Sequence, residues 1–208
     1  MKDLKSSSEG VRLGLAPRSA PEEELFKSRG YFKLKAASKA FNFDFRHKTV
    51  LDIGSSTGGF TEYALERGAK KVIAIEKGTN QMKSPLRFDP QIDLREKTDI
   101  FETKLSKIPD AILADVSFVS LKKILKYAKT NLSNQKTDFL VMLKPQFEAK
   151  EAELINGIVK NETIRREIIK EFEFWLKNNG FIIIKKRDNI LHVKPGNIER
   201  FYWLKQSL

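Results

Sequence analysis

A glycine-rich segment, Asp52–Phe60, carries residue types that could bind a nucleotide-like ligand. It reads DIGSSTGGF and continues an apolar run that begins at Thr49. An apolar strand, a glycine loop and a helix start, in this order, form the ligand crevice of open α/β sheets at the carboxyl ends of their strands. A second apolar run, 71–75, ends in Glu76. The Glu76 carboxylate could accept hydrogen bonds from ribose hydroxyls.

Two cofactor classes compete for this loop. A dinucleotide-binding loop requires the pattern G-x-G-x-x-G, whereas Ser56 stands at the middle position between Gly54 and Gly59. Asp52 would repel a pyrophosphate but would attract the amino group and the positive sulfur of S-adenosylmethionine. The loop therefore favours S-adenosylmethionine over NAD. A glycine turn that binds nothing would leave the acidic ends of both strands, Asp52 and Glu76, as a coincidence.

Composition limits the classes of protein to consider. A chain of 208 residues, 40% of them hydrophobic, is suited to one domain with its own core. The absence of cysteine excludes disulfides and thiolate metal sites, and two histidines make a zinc enzyme a poor fit. No apolar run approaches the ~20 residues of a membrane span. The first 24 residues contain no apolar signal segment, so we expect a cytoplasmic protein.

The positive charge is concentrated in the two flanks of the chain. The formal net charge is +12, of which residues 1–48 and 160–208 each carry +5 and residues 49–159 carry +2. A polyanionic partner such as RNA would account for this distribution. Solubility alone is an equally good explanation of the charge.

The order of apolar runs and helical patterns predicts an α/β fold. Strands are predicted at 49–53, 71–75, 91–95, 111–115, 138–143, 181–187 and 200–205, and helices at 31–41, 59–67, 79–87, 118–131 and 160–179. Such alternation predicts a mostly parallel sheet with helices on both faces. The last two runs, joined by a loop with Pro195-Gly196-Asn197, predict a terminal hairpin.

Seven strands with an antiparallel last strand are the architecture of the Rossmann-like, class I methyltransferases. Residues 1–24 are polar and rich in Ser, Pro and Gly, which predicts a flexible leader. We expect residues 25–208 to form the methyltransferase domain.

Further chemistry is expected at the ends of two later strands. Asp115 follows the run 111–114, and Lys144 follows the run 139–143. A lysine in this position borders a partly desolvated site, where burial disfavours the ammonium form. The alternative is a lysine that extends along the strand end and keeps its charge in water.

Six stretches, taken together and in order, resemble the TlyA (haemolysin A) family within the FtsJ-like RNA ribose 2′-O-methyltransferases. They span most of residues 28–204 and are Ser28–Leu34 (SRGYFKL), Asp52–Phe60, Asp115–Phe118 (DVSF), Lys144–Glu148 (KPQFE), Gly157–Val159 (GIV) and Gly196–Glu199 (GNIE). The resemblance implies methyl transfer from S-adenosylmethionine to a ribose 2′-hydroxyl, with ribosomal RNA or a ribosomal subunit as the partner.

The resemblance also implies roles for particular residues. The Lys-Asp-Lys-Glu tetrad of these enzymes corresponds to Lys33, Asp115, Lys144 and Glu199. In this interpretation Lys144 deprotonates or steers the hydroxyl, Asp115 orients Lys144, and the other two hold the ribose. The predicted cofactor residues are Asp52, Gly54, Ser55, Ser56, Gly58, Gly59, Phe60, Glu76, Lys77, Asp99, Ile100 and Asp115. Asp99 could equally be a helix N-cap.

One departure concerns target recognition. The family usually begins with an S4-type RNA-binding domain, and the 27 residues before Ser28 are too few and too polar to fold that way. The basic flanks could recognise RNA instead, a preassembled ribosomal particle could be the substrate, or the substrate could differ. A non-catalytic RNA-binding or ribosome-assembly protein would not need the tetrad. A small-molecule methyltransferase would keep the cofactor loop without needing the basic flanks.

Overall fold

The computed structural model describes residues 27–189, 191 and 196–207. The predicted leader, 1–24, and Pro195 of the hairpin loop lie outside the described residues. The strands are β1 (Thr49–Ile53), β2 (Lys71–Ile75), β3 (Ile92–Arg95), β4 (Ala111–Ala114), β5 (Asp138–Leu143), β6 (Leu154–Ile155), β7 (Ile158–Val159), β8 (Phe181–Asp188) and β9 (Arg200–Gln206). The α-helices are α1 (Arg29–Phe41), α2 (Gly59–Glu66), α3 (Leu121–Asn131) and α4 (Glu162–Asn178).

Seven of the strands form one sheet in the order β3-β2-β1-β4-β5-β9-β8. The first five are parallel, whereas β9 pairs antiparallel with both β5 and β8. The predicted mostly parallel sheet with an antiparallel last strand and a terminal hairpin is therefore confirmed. The last strand lies inside the sheet, between β5 and β8.

Both faces of the sheet are covered, which explains the continuous apolar runs of the central strands. Leu51 and Ile53 of β1 face a core that includes Ile124 of α3 and Phe172 of α4. Val50 faces the other core, to which α1 and α2 contribute Leu34, Phe41, Phe60 and Tyr63. Successive side chains of a strand point to opposite faces, so a run in which every residue is apolar supplies both cores.

The helix predicted at 79–87 is wrong. This segment contains only a 3₁₀ turn, Leu86–Phe88, and Asn80 has a positive φ of 54°. Pro85 has no N–H to donate to a helix, and its ring excludes the preceding helical turn. The segment instead hydrogen-bonds to the end of β3, since Gln81 N donates to Glu96 Oε1 (2.9 Å).

Two local signals give further differences from the predicted elements. The helix predicted from 118 begins at Leu121, because Ser120 caps it and Phe118 has a left-handed φ of 62°. The hairpin of β6 and β7 was not predicted, although its turn is Asn156-Gly157 with φ values of 49° and 75°. An Asn-Gly pair is a strong signal for a tight hairpin turn.

Candidate active site

A cleft of about 730 Å³ opens where β1, β2 and β4 end. This is the edge at which parallel α/β sheets bind their ligands. Of the predicted cofactor residues, the ones that line the cleft are Gly54, Ser56, Glu76, Lys77, Asp99, Ile100 and Asp115. The sequence did not single out Gln81, Thr98 and Phe101, which also line it.

Gly54 turns the chain at the end of β1. Its φ is +78°, and its N–H donates to Ile75 O (2.9 Å), which ties the turn to β2. A Cβ at this position would lie 3.2 Å from the Asp115 carbonyl oxygen. Glycine is therefore required both by the left-handed backbone and by the close approach of the end of β4.

The Glu76 carboxylate fixes the loop that follows Gly54. Its Oε2 accepts a hydrogen bond from Ser56 N (2.9 Å), and its Oε1 accepts one from Gly78 N (2.7 Å). Gln81 Nε2 also donates to Oε1 (3.4 Å). A carboxylate has about four lone-pair sites, so Glu76 retains capacity to accept one ribose hydroxyl from the cleft. The predicted ribose residue therefore also determines the shape of the loop.

Asp52 lies below the loop and does not line the cleft. Its side chain is fully buried, and Oδ2 accepts a hydrogen bond from Thr61 Oγ1 (2.7 Å). Burial raises the pKa of Asp52 to about 7, the Thr61 hydrogen bond opposes this rise, and the charges of Asp115 and Glu76 add to it. Asp52 Oδ1 and the buried Ser55 Oγ have no hydrogen-bond partner among the described residues.

Several features of the cleft fit S-adenosylmethionine. Buried polar atoms without a partner are rare and call for an explanation, and Asp52 and Ser55 place such atoms beside the cleft. The amino group of the methionine part would satisfy acceptors of this kind. Glu76 provides a carboxylate for the ribose, and Ile100 and Phe101 provide apolar surface for the adenine. The residues present therefore fit this cofactor.

Gly58, Gly59 and Phe60 are placed behind the loop and contribute to packing. A Cβ on Gly59 would lie 2.7 Å from Tyr31 N, so this glycine allows α2 to approach α1. Gly58 has a φ of +91°, and Phe60 stacks on Phe201 in the core (6.1 Å between ring centroids). Contact between these three residues and the cofactor remains a prediction. The two glycines would make it through their main-chain groups.

At the rim of the cleft, Asp99 forms two contacts. It caps a 3₁₀ turn by accepting a hydrogen bond from Phe101 N (3.0 Å), and its other oxygen pairs with Lys77 Nζ (3.1 Å). The N-cap alternative for Asp99 is thus confirmed. Asp99 and Lys77 also line the cleft, so the cofactor assignment is compatible with the capping role.

Lys144, which follows β5, contacts two residues that follow β4. Its Nζ forms an ion pair with Asp115 Oδ1, at 2.7 Å. This oxygen accepts no well-aligned hydrogen bond from any described residue, so the contact is electrostatic. The same ammonium donates a hydrogen bond to Ser117 Oγ (2.8 Å). The Lys144 side chain is 12% exposed, so this pair is largely shielded from water.

Lys33 of α1 and Glu199, which directly precedes β9, form the second pair. Lys33 Nζ lies 2.9 Å from Oε1 and 2.7 Å from Oε2 of Glu199. The position of α1 depends on its packing against α2, where Ser28 and Tyr31 lie against Gly59. The structure therefore joins two residues of the predicted tetrad that are 166 positions apart in sequence.

The pairing of β5 with β9 brings the two ion pairs to one edge of the sheet. Leu143 of β5 is opposite Arg200 of β9. The next residues in the two antiparallel strands are Lys144 and Glu199, so they leave the sheet side by side. Asp115 links this edge to the cleft, because it contacts Lys144 and also lines the cleft beside Gly54.

Ser117 and Phe118 are site residues whose individual roles the sequence did not indicate, although both belong to the DVSF stretch. Phe118 is 92% exposed at the edge of the cleft and has a positive φ of 62°. Its ring lies 5.3 Å from that of Phe147, over which Lys144 Nζ is placed at 6.0 Å. A bulky residue in the left-handed region is strained, so an exposed ring held there is a candidate ligand contact.

Two other features, a metal-binding cluster and a membrane-spanning helix, are not found in the part of the chain that the structure describes. Residues 27–189, 191 and 196–207 contain no cluster of acidic or histidine side chains that could hold a metal ion. Among the helices described, none has the length and hydrophobicity needed to cross a bilayer.

Comparison with known proteins gives consistent results. The family model described as FtsJ-like methyltransferase matches residues 26–204. The Campylobacter jejuni protein named 23S rRNA (cytidine-2′-O)-methyltransferase TlyA is 32% identical over 94% of this chain and 75% of its own length. Hemolysin A of Brachyspira hyodysenteriae is 34% identical over 84% of this chain and 74% of its own length.

A solved structure gives the same result for the fold. A hemolysin candidate from Streptococcus thermophilus superposes with a TM-score of 0.81 at 32% identity, covering 86% of this chain and 66% of that one.

Proposed function

The chain belongs to the FtsJ-like methyltransferase family, and from this premise we propose that it methylates a ribose 2′-hydroxyl of RNA, with ribosomal RNA as the substrate. The main observation behind the proposal is that Asp115 has two contacts. This residue lines the cofactor cleft and also contacts Lys144, so the donor and acceptor sides of the reaction meet there.

When bound, S-adenosylmethionine supplies an electrophilic methyl group on a positive sulfur. The protein has to bring a hydroxyl oxygen in line with that group and to provide for loss of the hydroxyl proton. Alignment of two reactants is worth roughly 7–11 kcal/mol in favourable cases. In our proposal most of the rate enhancement comes from alignment by the two ion pairs.

Lys144 is the residue we assign to the acceptor oxygen. An ammonium has three N–H donors, of which the hydrogen bond to Ser117 uses one, while the ion pair with Asp115 holds the ammonium in place. A further N–H can donate to the 2′-oxygen and stabilise the negative charge that develops as the hydroxyl proton passes to solvent. To take up that proton itself, Lys144 would first have to pass one of its own to Asp115.

Lys33 and Glu199 are assigned to the ribose. The Glu199 carboxylate contacts Lys33 through both oxygens, and the two side chains are 12% and 19% exposed. Such a shielded pair presents one fixed ammonium and one fixed carboxylate. The ammonium can donate to the ribose or its phosphate, and the carboxylate can accept from a hydroxyl.

RNA as the substrate is supported by charge and by exposed aromatic surface. The formal net charge of +12 suits a polyanion. The exposed Phe118 ring at the edge of the cleft suits an unstacked base, because RNA-binding proteins place such bases on aromatic rings. Ribosomal RNA is proposed because the Campylobacter jejuni relative is named for that substrate.

The test is a methylation assay with radiolabelled S-adenosylmethionine and ribosomal RNA, supplied both free and as assembled subunits. We expect label in RNA, at a nucleotide whose 3′ phosphodiester resists alkaline cleavage. Lys144→Ala should abolish the signal. Lys205→Ala is the matched control, since Lys205 pairs with Asp138 (2.9 Å) away from the cleft. Label on a base, or label only in small molecules, would contradict the proposal.

A further inference from the structure

Glu199 is held by a second residue besides Lys33. Asn189 Nδ2 donates a hydrogen bond to Glu199 Oε2 (2.9 Å), and Asn189 N donates to the Glu199 carbonyl oxygen (2.8 Å). Asn189 directly follows β8, and Glu199 directly precedes β9. The two residues therefore continue the β8–β9 ladder at the edge of the sheet where the tetrad lies.

The side chain of Asn189 has a defined orientation. Asn189 is 3% exposed, and its Oδ1 accepts a hydrogen bond from Leu191 N (3.1 Å). Because a main-chain N–H can only donate, the oxygen of the amide must face Leu191 and the NH₂ group must face Glu199. A buried amide satisfied at both ends fixes its neighbours.

From this geometry we infer that Asn189 is a positioning residue for methyl transfer, an inference that rests on the proposed function. Its amide donates to Glu199 Oε2, which Lys33 also contacts at 2.7 Å, so that the carboxylate cannot turn away from the ammonium. Lys33 then remains where it can contact the ribose. Asn189 itself does not line the cofactor cleft, so its removal should affect turnover and leave the affinity for S-adenosylmethionine unchanged.

Four charged groups surround this contact. Lys33 approaches from α1, and Asp188 and Arg200 flank it on β8 and β9 with an ion pair of 2.6 Å. Arg165 of α4 donates to Ile198 O (3.0 Å) and pairs with Asp188. Arg165 thereby fixes the residue directly before Glu199. A new carboxyl group at position 189 would be closest to Glu199.

The deciding variant is Asn189→Asp, which keeps the size of the side chain. Its carboxyl group can donate a hydrogen bond to Glu199 only when it is protonated. At pH 8 the new side chain would be a carboxylate and would repel Glu199. We expect kcat to fall about ten- to a hundredfold, because this is the effect of losing a hydrogen bond to a charged group. As the pH is lowered towards 6, a protonated carboxyl can donate as the amide did, and kcat should recover relative to wild type at the same pH. Asn189→Ala should lose kcat similarly at every pH, with KM for S-adenosylmethionine unchanged in both variants.

Asn179→Asp is the matched control. Asn179 Nδ2 donates to Trp175 O (2.8 Å) at the end of α4, so this variant loses the same kind of donor away from Glu199. Its kcat should stay at the wild-type level. An inactive wild type would count against the proposed function, whereas an active wild type with normal turnover in Asn189→Ala would overturn the role of Asn189.

A measurement independent of activity tests the contact itself. A carboxyl group beside Glu199 would have a raised pKa in the folded state, so the free energy of unfolding falls as the pH rises from an ordinary Asp pKa of about 4 to that raised value. The unfolding midpoint of Asn189→Asp should therefore fall relative to that of Asn189→Ala between pH 5 and pH 8, a range chosen to span about three units around a raised carboxyl pKa. If the unfolding midpoints of the two variants changed in parallel with pH, the contact between residue 189 and Glu199 would be contradicted.

Discussion

Asp115 holds Lys144 through its side chain, at 2.7 Å, while its main-chain carbonyl lies against the Gly54 turn. One residue thus sets the separation between the group assigned to the acceptor and the loop assigned to the cofactor. The carbonyl contact requires glycine at position 54, and the carboxylate contact requires a cation at position 144.

Replacement of Lys144 is the most direct test of the chemistry. Lys144→Ala should reduce kcat by at least about a hundredfold, the usual contribution of a group that assists proton transfer, while cofactor affinity and folding stay nearly unchanged. Single-turnover methylation and calorimetry measure the two effects. Lys144→Arg should also fail, because a guanidinium is planar, bulkier and always protonated. Near-normal turnover in Lys144→Arg would reduce the role of Lys144 to that of a positive charge.

Glu76 should contribute to cofactor binding in two separable ways. Glu76→Ala removes a carboxylate contact with the ribose and the anchor of Ser56 N, and each hydrogen bond to a charged group is worth about 1.5–3 kcal/mol. Glu76→Gln keeps one acceptor oxygen, so we expect it to retain more of the affinity for S-adenosylmethionine. Isothermal titration calorimetry gives the comparison. Wild-type affinity in Glu76→Ala would contradict the ribose assignment.

Gly54→Ala should impair both stability and activity. A left-handed backbone costs a residue with a Cβ roughly 1–2 kcal/mol, and here the Cβ also meets the Asp115 carbonyl at 3.2 Å. Gly157→Ala is the control, because Gly157 has a similar φ of +75° but open space around its Cβ position. Chemical denaturation and the methylation assay should show the larger loss for Gly54→Ala. Equal losses would mean that the Asp115 contact is unimportant.

Asp52 should make the protein less stable as the pH rises from about 4 to about 7, the interval between an ordinary Asp pKa and the value of about 7 to which burial raises it. In this interval the folded protein binds more protons than the unfolded chain, so the free energy of unfolding falls with pH, by at most about 1.4 kcal/mol per pH unit. Asp52→Asn should remove this slope. Urea unfolding at several pH values tests the difference, and identical slopes would show that folding does not raise the pKa of Asp52.

RNA affinity should fall steeply with salt, with each neutralised phosphate contributing ~0.7–0.9 to the log–log slope. Two basic residues of the N-terminal flank, Lys27 and Arg29, are not equivalent in the structure. Lys27 is paired with Glu62 (2.7 Å) and Glu66, whereas Arg29 is exposed at the start of α1. Charge reversal at Arg29 should therefore flatten the slope more than reversal at Lys27. A slope near zero in wild type would mean that the excess charge serves only solvation.

The central strands could be predicted because burial on both faces leaves an unbroken apolar run, as in β5. The glycine loop could be predicted because it is a short local motif, whereas the tetrad follows from the family resemblance and stays a prediction. The contacts that complete the site have no local signal. The Asn189–Glu199 hydrogen bond depends on the β8–β9 ladder, and the Lys33–Glu199 pair depends on the approach of α1 to α2 at Gly59.

The insertion of β9 between β5 and β8 also has a consequence for biosynthesis. During translation β1 to β5 emerge with the whole of the cofactor loop, while Glu199, which directly precedes β9, appears only 56 positions after Leu143. Until then the outer edge of β5 has no strand to pair with, a condition that favours wrong associations. The nascent chain would complete its donor side before Glu199 completes its acceptor side, so a stalled or truncated product could bind the methyl donor without being able to use it.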